Sequence, residues 1–85
     1  MTYFVYIVEC SDGTYYVGIT NNIEKRILAH NTLKTGARYT KMRRPVVLRY
    51  SEEVSNRSNA LKREFAIKQL NRTEKSALIE RASSN

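Results

Sequence analysis

The stretch Tyr3-Phe4-Val5-Tyr6-Ile7-Val8-Glu9-Cys10-Ser11-Asp12-Gly13-Thr14-Tyr15-Tyr16-Val17-Gly18-Ile19-Thr20 decides how this chain folds. Tyr3 to Cys10 is rich in β-branched and aromatic residues and predicts a strand. Ser11-Asp12-Gly13 has turn chemistry, and Thr14 to Thr20 predicts a second strand, so the segment is a hairpin. The length of its turn sets which side chains share a face. A two-residue Asp-Gly turn pairs Ser11 with Thr14 and puts Tyr6 and Tyr16 on opposite faces. A three-residue loop, with Gly13 in the left-handed region, pairs Cys10 with Thr14, opposes Tyr6 to Gly18 and Tyr16 to Val8, and puts both tyrosines on one face. Periodicity is compatible with either register.

Beyond the hairpin, Asn21 with Glu24 three positions on marks a helix start. The helix runs to about Leu33, with Ile23 and Ile27 as its apolar stripe and Leu28 widening it. Thr35 to Arg44 has no clean period and reads as a loop with a helical turn. Pro45 to Ser51 predicts a third strand, with Pro45 at its start, where a missing N–H costs least. A helix follows from Ser55 or Asn56 to Leu70, and a last one from Thr73 to about Arg81, after which the end frays. The order β-β-α-β-α-α predicts an α+β fold: a small three-stranded antiparallel sheet flanked by helices. We expect a single domain over 1–82 with 83–85 as a frayed terminus.

The bulk properties narrow the function. Eighty-five residues allow one domain, and 41% hydrophobic residues supply one modest core and exclude a disordered tail. The longest apolar run is Phe4 to Val8, too short to cross a bilayer, and no signal-peptide pattern opens the chain. A cytoplasmic protein without membrane contact is expected. Cys10 is the only cysteine, which excludes an internal disulfide, and one Cys with one His cannot build a structural zinc site. The net charge of +7 is concentrated: no acidic residue occurs between Lys25 and Ser51, where Lys25, Arg26, Lys34, Arg38, Lys41, Arg43, Arg44 and Arg49 lie. Such a block attracts polyanions through phosphate neutralisation and counterion release. A solvated basic surface is the plainer alternative. Tyrosines that flank or interleave the block and could stack on bases favour nucleic acid.

Three groups could carry chemistry. Arg26 and His30 are neighbours four apart on the first helix; the sequence places them at the edge of its buried face, as a snorkelling arginine and a boundary histidine or as a phosphate-facing pair. Glu64 falls inside the arc of the long helix that should face the sheet, at about 40° from Ala60 where Ile67 is at about −20°. A carboxylate there needs a partner: Lys68 or Arg57 as an ion pair, or a metal. The strand tyrosines either pack or offer phenols to phosphate, and a phenol acting as a base needs its pKa of about 10 lowered by a cation.

Val5-Tyr6-Ile7, ten residues before Tyr16-Val17-Gly18, resembles the paired signature of the GIY-YIG nuclease superfamily. Arg26 within Asn22-Ile23-Glu24-Lys25-Arg26, then His30, then Glu64 on a later helix, match its further elements in order. Gly36-Ala37-Arg38-Tyr39-Thr40 and Ala60-Leu61-Lys62-Arg63-Glu64 resemble the small stand-alone bacterial subfamily. Phe4 stands where the first motif has glycine, and Ile19 where many relatives have lysine. The resemblance covers Phe4 to Leu78 and implies metal-assisted hydrolysis of DNA phosphodiester bonds, selective for branched, flap or single-stranded DNA, in repair or recombination. It implies that Tyr16 deprotonates or positions the attacking water, that Tyr6 lines the same site, that Arg26 steadies charge on the phosphate, that His30 tunes the nucleophile, and that Glu64 binds one Mg²⁺ or Mn²⁺. It also implies the three-residue turn, because both tyrosines must share a face. Lys34, Arg38, Tyr39, Lys41, Arg43 and Arg44 are the expected nucleic-acid contacts, with DNA as the partner ahead of RNA and no small-molecule cofactor. The competing expectations are a nucleic-acid-binding module without turnover and a nuclease subunit that needs a partner protein for activity or specificity.

Overall fold

The computed structural model describes residues 2–32 and 38–83. Strands β1 (Tyr3–Glu9) and β2 (Tyr15–Thr20) form the hairpin. Its turn is the three-residue form: Gly13 has φ 84°, Gly13 N–H donates to Cys10 O at 2.9 Å, and Cys10 N–H donates to Thr14 O at 2.8 Å. Tyr6 therefore pairs with Gly18 and Val8 with Tyr16, so both tyrosines lie on one face. Asp12 reinforces the turn by accepting from Thr14 N–H and from its hydroxyl.

Strand β3 (Val47–Val54) adds antiparallel to β1, giving the order β2-β1-β3. It starts and ends later than the expected Pro45–Ser51. Glu52 and Glu53 join it because their backbone pairs with Val5 and Phe4 of the central strand, which outweighs their low strand propensity. The Glu52 carboxylate is also satisfied, by Tyr50 O–H at 2.6 Å and by Arg63 Nε at 2.9 Å. The central position of β1 explains its unbroken burial from Val5 to Val8, since both of its faces are covered.

Helices cover both faces. On one, α3 (Arg57–Lys68) and α4 (Arg72–Ser83) supply Ala60, Ile67, Leu78 and Ile79, and their connection supplies Leu70, against Val5, Ile7 and Val17. Asn56 caps α3 through its side chain. Asn71 and Glu74 cap α4 reciprocally, at 2.8 and 2.9 Å. Helix α4 reaches Ser83 rather than fraying from Ala82. On the other face, α1 (Ile23–Thr32) lays Ile23 and Ile27 against Tyr6, Val8, Cys10 and Val46. Its cap is Asn22, which accepts from Lys25 N–H at 3.1 Å, not Asn21. Leu28 does not widen the stripe: it is 58% exposed, being about 140° round the helix from Ile23. The helical turn expected before β3 is α2 (Arg38–Lys41). Among the described residues no helix is long and apolar enough to cross a membrane.

Candidate active site

The site begins with a glycine. Gly18 pairs directly with Tyr6, and the Tyr6 ring lies across it: a Cβ on residue 18 would stand 2.5 Å from the phenolic oxygen. Only a residue without a side chain allows this, so the glycine of the second motif seats the tyrosine of the first. The ring is 1% exposed, and its oxygen is held between two groups of α1. His30 Nε2 is 2.7 Å away, and Arg26 Nε donates to it at 3.4 Å.

His30 corrects the expectation of a boundary residue. It is fully buried. Seven residues make nearly two helical turns, so His30 follows Ile23 on the same stripe and points into the sheet. Both ring nitrogens are occupied, Nε2 by Tyr6 and Nδ1 by the buried Thr40 hydroxyl at 2.8 Å. Burial, then the positive charges of Arg26 and Arg44, lower its pKa to about 4, so the imidazole is neutral near pH 7. Burial likewise raises the Tyr6 phenol, and Arg26 opposes this by hydrogen bond and charge. Tyr6 therefore keeps its proton in the resting site.

Tyr16 lies beside this pair with its ring edge-on to His30 at 5.3 Å. Tyr39 of α2 stacks on it at 5.9 Å and 27°, and the Arg43 guanidinium sits 3.9 Å from the Tyr39 ring centre. Arg43 also donates to Asp12 of the hairpin turn at 3.0 Å and to Tyr39 O at 2.9 Å. The β1–β2 turn, α2 and the Tyr16 ring are thus tied into one unit.

Tyr6, Tyr16, Arg26 and His30 are brought together from β1, β2 and α1. Glu64 comes from α3 and makes no hydrogen bond with them among the described residues. Its charge is the last of the influences on the Tyr6 phenol, after burial, Arg26 and Tyr16, and acts to raise its pKa. The carboxyl side chain is 18% exposed and forms an ion pair with Lys68 at 3.4 Å, the i,i+4 partner expected from the sequence.

The basic block divides. Arg44 donates to the His30 and Ala29 carbonyls in the last turn of α1, where a cation offsets the helix dipole. Arg43 serves Asp12 and Tyr39, and Arg49 pairs with Glu9. Arg38 and Lys41 are exposed on α2, as is Tyr39. Lys34 lies outside the described residues. Several tyrosines expected to be available for bases are engaged inside: Tyr15 bonds Ser76 and carries Arg72 on its ring, and Tyr50 bonds Glu52. Sequence reasoning missed Thr40. A threonine in an aperiodic segment gives no signal of its own; recognising His30 on the buried stripe would have demanded a partner for Nδ1.

The chain resembles known proteins in sequence and in fold. Residues 2–77 match the GIY-YIG catalytic domain. The chain is 58% identical over 77 residues to the UPF0213 protein of Desulfotalea psychrophila, covering 91% of this chain and 70% of that protein. It is 51% identical over 78 residues to the UPF0213 protein of Staphylococcus haemolyticus, covering 92% and 94%. Two solution NMR structures are similar: the UPF0213 protein of Bacillus halodurans, at TM-score 0.63 and 33% identity over 99% of this chain and 88% of that one, and a protein of E. faecalis, at TM-score 0.67 and 36% identity over 100% and 90%. With its paired tyrosines on one sheet face and the motif glycine beneath the first of them, the chain belongs to the GIY-YIG family of nuclease domains.

Proposed function

We propose that this chain is a divalent-metal-dependent endonuclease that hydrolyses DNA phosphodiester bonds and selects DNA by shape. The observation that carries the reading is the convergence of Tyr6, Tyr16, Arg26 and His30 on one face, with a guanidinium beside a phenol. Arg26 would hold a phosphate oxygen and stabilise charge that develops on it. Tyr16, half-buried where Tyr6 is buried, is the phenol better placed to meet the attacking water. His30 is neutral and keeps the Tyr6 oxygen in place.

Glu64 suits a hard cation. It presents a partly desolvated carboxylate whose ion-pair partner, Lys68, is half exposed and 3.4 Å away. Mg²⁺ takes one or two carboxylates and fills its remaining positions with water and substrate phosphate. Glu64 would hold Mg²⁺ or Mn²⁺, and the ion would supply positive charge to the scissile phosphate. Exposed Arg38 and Lys41, with Tyr39 between them, would meet the DNA backbone. Contacts of that kind position DNA without reading its bases, which supports selection by shape.

The test is cleavage of labelled duplex, single-stranded, flap and branched DNA with Mg²⁺ or Mn²⁺, EDTA controls, and Glu64→Ala in parallel. The reading predicts metal-dependent cleavage that the variant loses while still binding DNA. No cleavage on any substrate, with salt-sensitive binding intact, would point to a binding module or to a subunit completed by a partner protein.

A further inference from the structure

We infer that Thr40 is a positioning residue of this site: its buried hydroxyl selects the His30 tautomer that leaves Nε2 as an acceptor facing Tyr6. The directions of the hydrogen bonds carry the inference. Arg26 Nε–H can only donate, so the Tyr6 oxygen accepts from it. The buried phenol must also place its own proton, and of the two groups that its oxygen meets only His30 Nε2, 2.7 Å away, can accept it. A neutral imidazole that accepts at Nε2 carries its proton at Nδ1, and Nδ1–H donates to Thr40 Oγ1 at 2.8 Å. The chain therefore runs Arg26 to Tyr6 to His30 to Thr40 with each bond directed the same way. His30 and Thr40 are both fully buried, so no bulk water replaces the last partner.

The alternative tautomer would point Nε2–H at a phenol oxygen that already accepts from Arg26. The Tyr6 proton would then be left without an acceptor in the buried site. Thr40 comes from α2, a different element from either partner, and the same element presents Tyr39 to Tyr16. One turn of helix thus governs both tyrosines.

The experiment has two arms. His30 is the only histidine, so a long-range ¹H–¹⁵N spectrum of labelled protein near pH 7 reports its tautomer without ambiguity. Wild type should show a protonated Nδ1 and a bare Nε2. Thr40→Val, which keeps the shape and removes the hydroxyl, should gain an Nε2-protonated population; Thr40→Ser should look like wild type. The kinetic arm rests on the nuclease reading: kcat for DNA cleavage should fall roughly 10- to 100-fold in Thr40→Val at unchanged KM, and recover in Thr40→Ser. A wild-type spectrum with Nε2 protonated would overturn the proposal. So would a Thr40→Val protein with unchanged tautomer or unchanged kcat. If Thr40→Val does not fold, the wild-type and Thr40→Ser spectra still decide the direction of the chain. An inactive wild type would overturn the nuclease reading and the kinetic role together, while the spectrum separately accepts or rejects the tautomer.

Discussion

The Tyr6 ring rests on Gly18 of the neighbouring strand, with its phenolic oxygen 2.5 Å from where a Cβ on residue 18 would stand. Gly18 is not at positive φ, so the demand is for space and not for backbone freedom. The clash involves a buried ring pinned by His30 and Arg26, so it cannot be relieved by swinging a flexible tip. Gly18→Ala should cost about 1–3 kcal/mol of stability, as overpacked cores do. It should also break the Tyr6–His30 contact, which near-ultraviolet circular dichroism and the His30 ring resonances would show. A variant with wild-type stability and spectra would mean the ring is seated by something other than the glycine.

His30 gives stability a dependence on pH whose sign is set by its lowered pKa. The folded protein holds the ring neutral down to about pH 4, whereas the unfolded chain protonates near 6.5. Between those values the unfolded state binds more protons, so stability is fully present above 6.5 and is lost as pH falls toward 4. The total is roughly 3 kcal/mol, of which about 2 should be gone by pH 5. Urea unfolding at a series of pH values measures it. His30→Gln should flatten the slope between pH 7 and 5, a window that lies above most carboxylate titration.

Arg44 and the α2 pair Arg38 and Lys41 should separate a structural cation from binding ones. Arg44 holds two carbonyls of α1, so Arg44→Ala should lower stability by about 1–2 kcal/mol. It should also raise the His30 pKa, because Arg44 is one of the charges that depress it. Arg38→Ala and Lys41→Ala should leave stability within about 0.5 kcal/mol. Each should reduce the slope of log K for DNA against log salt by about 1. Equal effects of all three on binding at equal stability would refute the division.

The Asp12–Arg43–Tyr39 tie should contribute little to stability and more to the order of Tyr16. Both charged side chains are well exposed, at 34% and 45%, and exposed pairs are worth about 0.2–1 kcal/mol. Arg43→Ala should therefore shift thermal unfolding by only a few degrees. The Tyr16 and Tyr39 ring signals should broaden or move by more than those of Tyr50, which lies on the opposite face. Unchanged aromatic spectra would show that the stack does not depend on the guanidinium.

Much of this protein follows from the order of residues alone. Alternation within Tyr3–Thr20 makes a hairpin because side chains on a strand have period two, and Gly13 makes its turn because it accepts positive φ. The caps at Asn56 and the apolar positions Ala60 and Ile67 likewise reveal a helix and its inward side. The paired tyrosine motifs were legible too, at fixed spacing. What the order of residues left open was whatever depends on contacts between distant segments. The register of the hairpin, compatible with two turns by periodicity, is realised as the one that seats a ring on Gly18. Strand β3 extends to Glu52 and Glu53 because the central strand pairs with their backbone and Arg63 satisfies the Glu52 carboxylate. Arg43 and Arg44 look alike in a basic run, yet one braces a tyrosine and the other closes a helix, since each is committed by the acceptor the fold brings within reach. The partnership of Thr40 with His30 is of the same kind: burial removes water from both groups, and the fold must then supply the hydrogen bond that solvent no longer can.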